Sequence, residues 1–302
     1  MDKKDFILKR LEEKIKKFEL PEEVSKIPLS GQYIETQYND GTKELVDPKV
    51  EFYLCKKYFS YFSNMYCYVL DPANKSVSAF KAYRFQSELV IPALLENKLI
   101  IFRKARQTGA SVVSGLYSLW KVNFNIAQNV LIISKTRKDA QDFKEKAMVT
   151  YERLPLFLKT LPTRDGQNMT TLKLVNNSKI EVRAQSPDAG RGVTASLLIL
   201  DEAAFMPYAD EIWGSAYPAL SASNGQALII STSNGVGNFY HLMWLKSEAG
   251  ESGFCPVYIP WWKFPDRDNP WLDKLENKDV AWVEGQIGKE KVSEIKKELT
   301  ID

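Results

Sequence analysis

An apolar run over residues 99–102 leads into Arg103-Lys104-Ala105-Arg106-Gln107-Thr108-Gly109-Ala110-Ser111 and then into a helical stretch through Leu119. A polar loop between a strand and a helix is where phosphates bind. The first backbone N–H groups of a helix have no partner inside it, and the helix dipole favours an anion there. On the phosphate-loop pattern of Gly, four residues, Gly-Lys-Ser/Thr, Lys104 stands at the first Gly and Gly109 at the second. Ala110 stands at the Lys, and Ser111 at the hydroxyl that meets Mg²⁺. The loop departs from the pattern at the first Gly and at the Lys, so alone it reads equally well as an ordinary turn.

A second stretch, Ser196-Leu197-Leu198-Ile199-Leu200-Asp201-Glu202-Ala203-Ala204-Phe205, raises its weight. Four consecutive apolar residues predict a strand buried on both faces, as in a parallel sheet. Two carboxylates follow at its C-terminal end, where open α/β sheets bind ligands. This is the Walker B arrangement, in which Asp201 holds Mg²⁺ and Glu202 polarises the attacking water. The transition state of phosphoryl transfer spreads negative charge over the terminal oxygens and needs positive charge nearby. Ala110 offers none. Lys104 has a long, mobile stem that can cross the mouth of a short loop, whereas Arg106 suits a phosphate clamp or a brace of the loop.

The elements that must position these groups can be read around them. Residues 129–134, Asn-Val-Leu-Ile-Ile-Ser, and residues 227–230 predict two more buried strands, and residues 139–151 a helix. Residues 172–174 and 179–183 flank Asn176-Asn177 as a hairpin. The strand–helix alternation predicts an α/β fold with a mainly parallel central sheet and helices on both faces. Ser231, Thr232 and Ser233 then end a central strand, where hydroxyls can sense a terminal phosphate. Tyr83-Arg84-Phe85-Gln86 precedes the loop, and an amide beside aromatic and guanidinium planes suits adenine. Arg191 sits between Gly190 and Gly192, on a loop able to reach outward. Residues 3–19 predict an amphipathic helix that packs on the main domain, residues 21–48 an irregular arm, residues 71–78 a turn, and residues 279–299 a charged helix. The organisation expected is an N-terminal helix and arm (1–49), a nucleotide-binding domain (50–275) and a helical tail or linker (276–302).

Composition excludes several alternatives. At 44% hydrophobic and 26% charged residues, the 302-residue chain has an ordinary globular balance. A net charge of +3 is too small to argue for nucleic acid without a local patch. Cys55, Cys67 and Cys255 lack metal-ligand spacing and suit reduced thiols. His241 is the only histidine, which argues against histidine-rich metal sites. No apolar run approaches the roughly 20 residues of a membrane span, and the charged N-terminus is no signal peptide.

The order of these motifs, with Lys104-Ala105-Arg106-Gln107-Thr108-Gly109-Ala110-Ser111 and Asp201-Glu202-Ala203-Ala204-Phe205 the most specific, resembles the ATPase domain of large terminase subunits of tailed bacteriophages over roughly residues 50–275. The resemblance implies an ASCE-type P-loop NTPase that uses ATP and Mg²⁺ to drive double-stranded DNA into a procapsid. It implies a homo-oligomeric ring on the portal protein, a small terminase subunit as partner, and action in the host cytoplasm and transiently at the portal, outside the mature virion. Tyr83, Arg84, Phe85 and Gln86 would meet the base. Lys104, Arg106, Gln107, Thr108, Gly109, Ala110 and Ser111 would surround the phosphates, with Ser111 and Asp201 on the metal. Glu202 would be catalytic, Arg191 an arginine finger reaching a neighbour's ATP, and Ser231, Thr232 and Ser233 the coupling motif. The family's nuclease domain has no counterpart in these residues, so no nuclease activity is expected of them. The alternatives are a helicase-like ATPase and a nucleotide-binding scaffold impaired in hydrolysis; Ala110 favours the latter and the intact Asp201-Glu202 pair opposes it.

Overall fold

The computed structural model describes residues 2–71, 75–192, 194–263 and 293. The chain begins with helix α1 (Lys3–Lys17), which buries Ile7 and Leu11. A hairpin of β1 (Ile34–Gln37) and β2 (Lys43–Val46) follows. Helix α2 (Pro48–Lys57) starts on Asp47, whose side chain accepts from the N–H groups of Lys49 and Val50, and on Pro48, whose fixed φ suits a first helical position. Helix α3 (Phe59–Tyr66) and a second hairpin, β3 (Tyr68–Asp71) with β4 (Ser76–Ala79), complete this part. A π-helical turn, Gln86–Val90, runs into α4 (Ile91–Glu96).

The main body then alternates: β5 (Leu99–Lys104), α5 (Ala110–Phe124), β6 (Asn129–Ser134), α6 (Arg137–Arg153), β7 (Pro162–Gln167), β8 (Thr171–Leu174), β9 (Lys179–Ala184), β10 (Leu197–Asp201), α7 (Ala209–Ala222), β11 (Gln226–Ser231), α8 (Phe239–Glu248) and β12 (Cys255–Ile259). These strands form one sheet in the order β12-β5-β11-β10-β6-β9-β8-β7. Pairing is parallel from β12 to β9 and antiparallel at β8 and β7. An additional strand, β11, therefore separates the loop-bearing β5 from the acidic β10, as the ASCE type requires.

The period of two along each central strand divides the interior. Ile100, Phe102, Val130, Ile132, Leu197, Ile199, Leu228 and Ile230 face one core with α5 and α6. Ile101, Leu131, Ile133, Leu198, Leu200, Ala227 and Ile229 face the other, with Ile212 and Leu220 of α7 and Tyr240 and Trp244 of α8. Continuous apolar runs are what a sheet covered on both faces demands. Arg103 lies between the rings of Trp244 and Tyr258, 4.6 and 4.2 Å from their centroids, and ties α8 and β12 to the strand that carries Lys104.

Two local expectations change. The arm over residues 21–48 is not irregular: it contains the first hairpin, and Val24, Tyr38 and Val46 are buried in the same core as α5. Of the turn expected over residues 71–78, Asp71 ends β3 and residues 76–78 belong to β4. Strands β7 and β12 were not legible, because one carries Thr-Arg-Asp-Gly and the other is a short edge strand with Pro256. The charged helix expected over residues 279–299 lies outside the described residues apart from Ser293, as does the expected boundary at residue 275.

Candidate nucleotide site

The phosphate loop spans residues 105–109, at the C-terminal edge of the sheet. Gly109 caps the start of α5 at φ +72°, a left-handed conformation that glycine adopts without strain. A Cβ there would also come within 2.6 Å of Gln86 Nε2, so space and backbone both require glycine. No side chain caps α5, and Val112 and Val113 N–H both turn back to Gly109 O. The helix start is left with its anion-attracting N–H groups uncapped by any side chain. Ala110 is buried, Ser111 is half-buried, and Arg106 and Gln107 are exposed on the loop.

Gln86 is 2% exposed and turns both ends of its amide into the protein. Its Oε1 accepts from Tyr83 N at 3.1 Å, and its Nε2 donates to Thr108 O at 3.1 Å. In this conformation Gln86 braces the phosphate loop. Tyr83 and Phe85 stack beside it at 5.9 Å, while Arg84 points outward to Glu88 at 2.8 Å.

The acidic pair meets the loop. Ser111 Oγ donates to Asp201 Oδ1 at 3.2 Å, across 90 residues of sequence. Asp201 is buried, and that burial pushes its carboxyl pKa up to about 6. The charges of Lys146 and Lys104 and the Ser111 hydroxyl pull it down, and neighbouring Glu202 pushes it up. Lys104 Nζ donates to Glu202 Oε1 at 2.9 Å, with the lysine side chain 8% exposed and the glutamate 31%. Lys104, the residue before the loop, is thus held against Glu202, the residue expected to orient water.

Glu202 has φ +57°, a left-handed value that costs a non-glycine residue about 1–3 kcal/mol and persists only where its surroundings enforce it. The enforcement is visible two residues on. Ser231 Oγ accepts from Ala204 N at 3.1 Å, and Asn234 Nδ2 donates to Ala204 O at 3.0 Å. Asn238, whose side chain caps α8, donates to Asn234 O at 2.8 Å. Ser231 at the end of β11 and Asn234 just past it thus hold the backbone N–H and C=O of Ala204 and, through them, the turn that follows Glu202. Of the expected coupling residues, Ser231 makes this contact, Thr232 is half-buried and Ser233 is exposed. Asn234, just past the expected motif, completes the hold on Ala204. Lys146, on α6, was missed because nothing distinguishes it from the other charges of an amphipathic helix.

Arg191 does not join this cluster. It pairs with Asp188 at 2.7 Å, and both side chains are about 70% exposed. Its loop is nonetheless built: a Cβ on Gly190 would meet Ile212 O at 2.6 Å on α7, and Gly192 has φ +70°. The loop is pinned at one glycine and turned outward at the next.

The donor chemistry fits Mg²⁺. Ser111 and Asp201 place two hard oxygens at the helix start, and Mg²⁺ is held by one or two carboxylates together with substrate phosphates and water.

A mainly parallel sheet with a phosphate loop after one strand, and Ser111, Asp201 and Glu202 brought together across the next two, defines a P-loop NTPase fold. The chain belongs to the family described as terminase large subunit, T4likevirus-type, N-terminal, which matches residues 101–297. It is similar to the large terminase subunit of Thermus phage G20c, 29% identical over 164 residues that make up 48% of this chain and 33% of that protein. The large subunit of Thermus virus P23-45 is 43% identical over 68 residues, 22% of this chain and 14% of the other. The chain thus matches about a third or less of the length of these relatives. In fold it is similar to the HK97 bacteriophage large terminase, with a TM-score of 0.53 and 16% identity over 80% of this chain and 53% of that one. Among the described residues no helix is long and apolar enough to cross a membrane.

Proposed function

We propose that this chain is the ATP-hydrolysing part of a DNA-packaging motor. The observation that carries the reading is the meeting of Lys104, Ser111, Asp201 and Glu202 at the start of α5. ATP lies with its phosphates against the N–H groups of the loop, with Arg106, Gln107 and Thr108 around them. The base lies toward Tyr83, Arg84 and Phe85, and Gln86 acts through the loop that it braces. Ser111 and Asp201 would hold Mg²⁺, which supplies neutralising charge to the phosphates when bound. Glu202 orients and polarises water for in-line attack, and its held backbone sets the direction of that carboxylate. Lys104 leaves Glu202 for the terminal phosphate oxygens as their charge grows. Ser231 and Asn234 sit between Glu202 and α8, so the state of the site and the position of α8 move together.

Arg191 reaches a neighbouring copy in a homo-oligomeric ring, where a finger supplied in trans contributes about 10³–10⁵ in rate. The ring sits on the portal protein of a procapsid in the host cytoplasm, receives double-stranded DNA with the small terminase subunit, and spends ATP to move it. Phosphate release from Mg²⁺-ATP, measured with and without duplex DNA over a range of protein concentrations, tests this. The expected result is hydrolysis that rises more steeply than linearly with concentration. Tight nucleotide binding with no phosphate release under any of these conditions would instead identify a scaffold.

A further inference from the structure

Lys146 of α6 is a cation acting on the acidic pair that the mechanism above leaves unused. Its side chain is half-buried, and its charge acts on Asp201 first, then on Asp142, Lys104 and Glu202. Among the described residues its ammonium makes no ion pair or hydrogen bond. It packs over the ring of Phe143, with Nζ 5.1 Å from the centroid.

The sequence of α5 explains how it gets there. Gly115 lies one turn after Ser111 on the same helix face. A Cβ on Gly115 would come 3.2 Å from Lys146 Cβ, 3.6 Å from Ala147 N and 3.7 Å from Phe143 O. The bare backbone at Gly115 lets α6 close on α5 at the height of Lys146, one turn from Ser111. A lysine stem spans that distance and carries its charge at the tip. Lys104 pairs with Glu202, and Lys146 adds a second positive charge that acts on Asp201, before any nucleotide arrives; neither lysine comes from the position at which the phosphate-loop pattern puts one.

We propose that Lys146 is a second phosphate-directed cation of the nucleotide site, brought to the Ser111–Asp201 end through the gap at Gly115, and that with Lys104 it supplies the charge that Ala110 lacks. Its ligand is the terminal phosphate of a nucleoside triphosphate. The inference rests on the nucleotide-binding reading above. Burial lowers the pKa of Lys146 while Asp201 raises it, and a polyphosphate entering the site adds to the effect of Asp201.

The test is calorimetric titration of the 302-residue chain with ATPγS and with ADP, each with Mg²⁺ and again in EDTA. Lys146→Met keeps the stem and removes the charge. It should weaken ATPγS binding about tenfold, the scale of one charge-assisted contact, and ADP binding far less, with the same discrimination in EDTA. Lys146→Arg should restore ATPγS affinity. Gly115→Ala should weaken ATPγS binding in the wild-type background and add nothing in Lys146→Met, where no ammonium is left to displace. Unchanged ATPγS binding in Lys146→Met would overturn the inference. So would equal loss of ATPγS and ADP, or a loss seen only with Mg²⁺, which would mean that Lys146 acts on the metal. If the wild-type chain bound neither nucleotide, the nucleotide-site reading itself would fall with it.

Discussion

Two lysine–glutamate pairs, one in the N-terminal helices and one at the phosphate loop, are built to different ends. In the N-terminal part, Lys14 Nζ donates to Glu51 Oε2 at 3.0 Å and to Tyr38 OH at 2.6 Å. The other oxygen, Glu51 Oε1, accepts from Tyr61 OH at 2.6 Å and Tyr66 OH at 2.7 Å. Glu51 is 2% exposed on an ordinary helix, and both its oxygens are engaged. At the phosphate loop, the Glu202 carboxylate has Lys104 as its one hydrogen-bond partner among the described residues, and Glu202 sits on a left-handed backbone and keeps a third of its side chain open. A closed network fixes α1, α2 and α3 against one another. An open pair on a strained turn leaves a carboxylate oxygen and a lysine ready for something that arrives. The residue types are the same, so the difference in role lies in partner count, burial and backbone.

The comparison breaks most sharply at the lysines. Lys104→Ala should lower ATP turnover by about 10²–10³, the usual cost of one charge aimed at a developing oxyanion, with unfolding unchanged. Ala110→Lys should leave turnover near the starting value, because Lys104 already supplies the charge. Steady-state phosphate release checks both. A large gain in Ala110→Lys, with little loss in Lys104→Ala, would place the missing charge at position 110 instead.

Glu51→Ala should do the reverse. It leaves two tyrosine hydroxyls buried without their acceptor and takes from Lys14 the nearer of its two carboxylates, and breaking such a network costs about 3–5 kcal/mol. Urea unfolding should show that loss, while turnover per folded molecule stays the same. Loss of turnover without loss of stability would move this cluster from scaffold to site.

The smallest expected effect is a pH dependence. The native Asp201 carboxyl titrates at about 6, above the roughly 3.9 of an unfolded aspartate. Between these values the native state holds a proton that the unfolded chain has lost. Ligand-free stability therefore falls as pH rises through that window, and Asp201→Asn removes the slope. Mg²⁺-dependent nucleotide affinity runs the other way, weakening as pH is lowered through about 6. Unfolding and binding titrations across this range separate the two.

The centre of the fold was legible in the sequence because it obeys simple periods. Residues 129–134 form a strand over those same positions, and the helix expected at 139–151 extends by two residues at each end. Strands covered on both faces announce themselves as apolar runs. The edges do not: β7 is mostly polar, β12 is interrupted by Pro256, and the N-terminal hairpins alternate too briefly to stand out. At the site, Lys104 meets Glu202 and Ser111 meets Asp201. The Gln86 amide is turned to the loop because packing behind Gly109 leaves it there. Asn234 meets Ala204 in the turn after β10, and Lys146 packs against Gly115 of α5; no local pattern encodes either contact.

The most direct measurement of the central claim is turnover and nucleotide binding of Glu202→Gln, side by side. The amide keeps the shape and the strained backbone but cannot polarise water as a carboxylate does. ATP affinity should stay within a few-fold of the wild type, while phosphate release falls by about 10²–10⁴. A variant that hydrolyses ATP at the wild-type rate would contradict the assignment of Glu202, and with it the contrast between the open pair and the closed one.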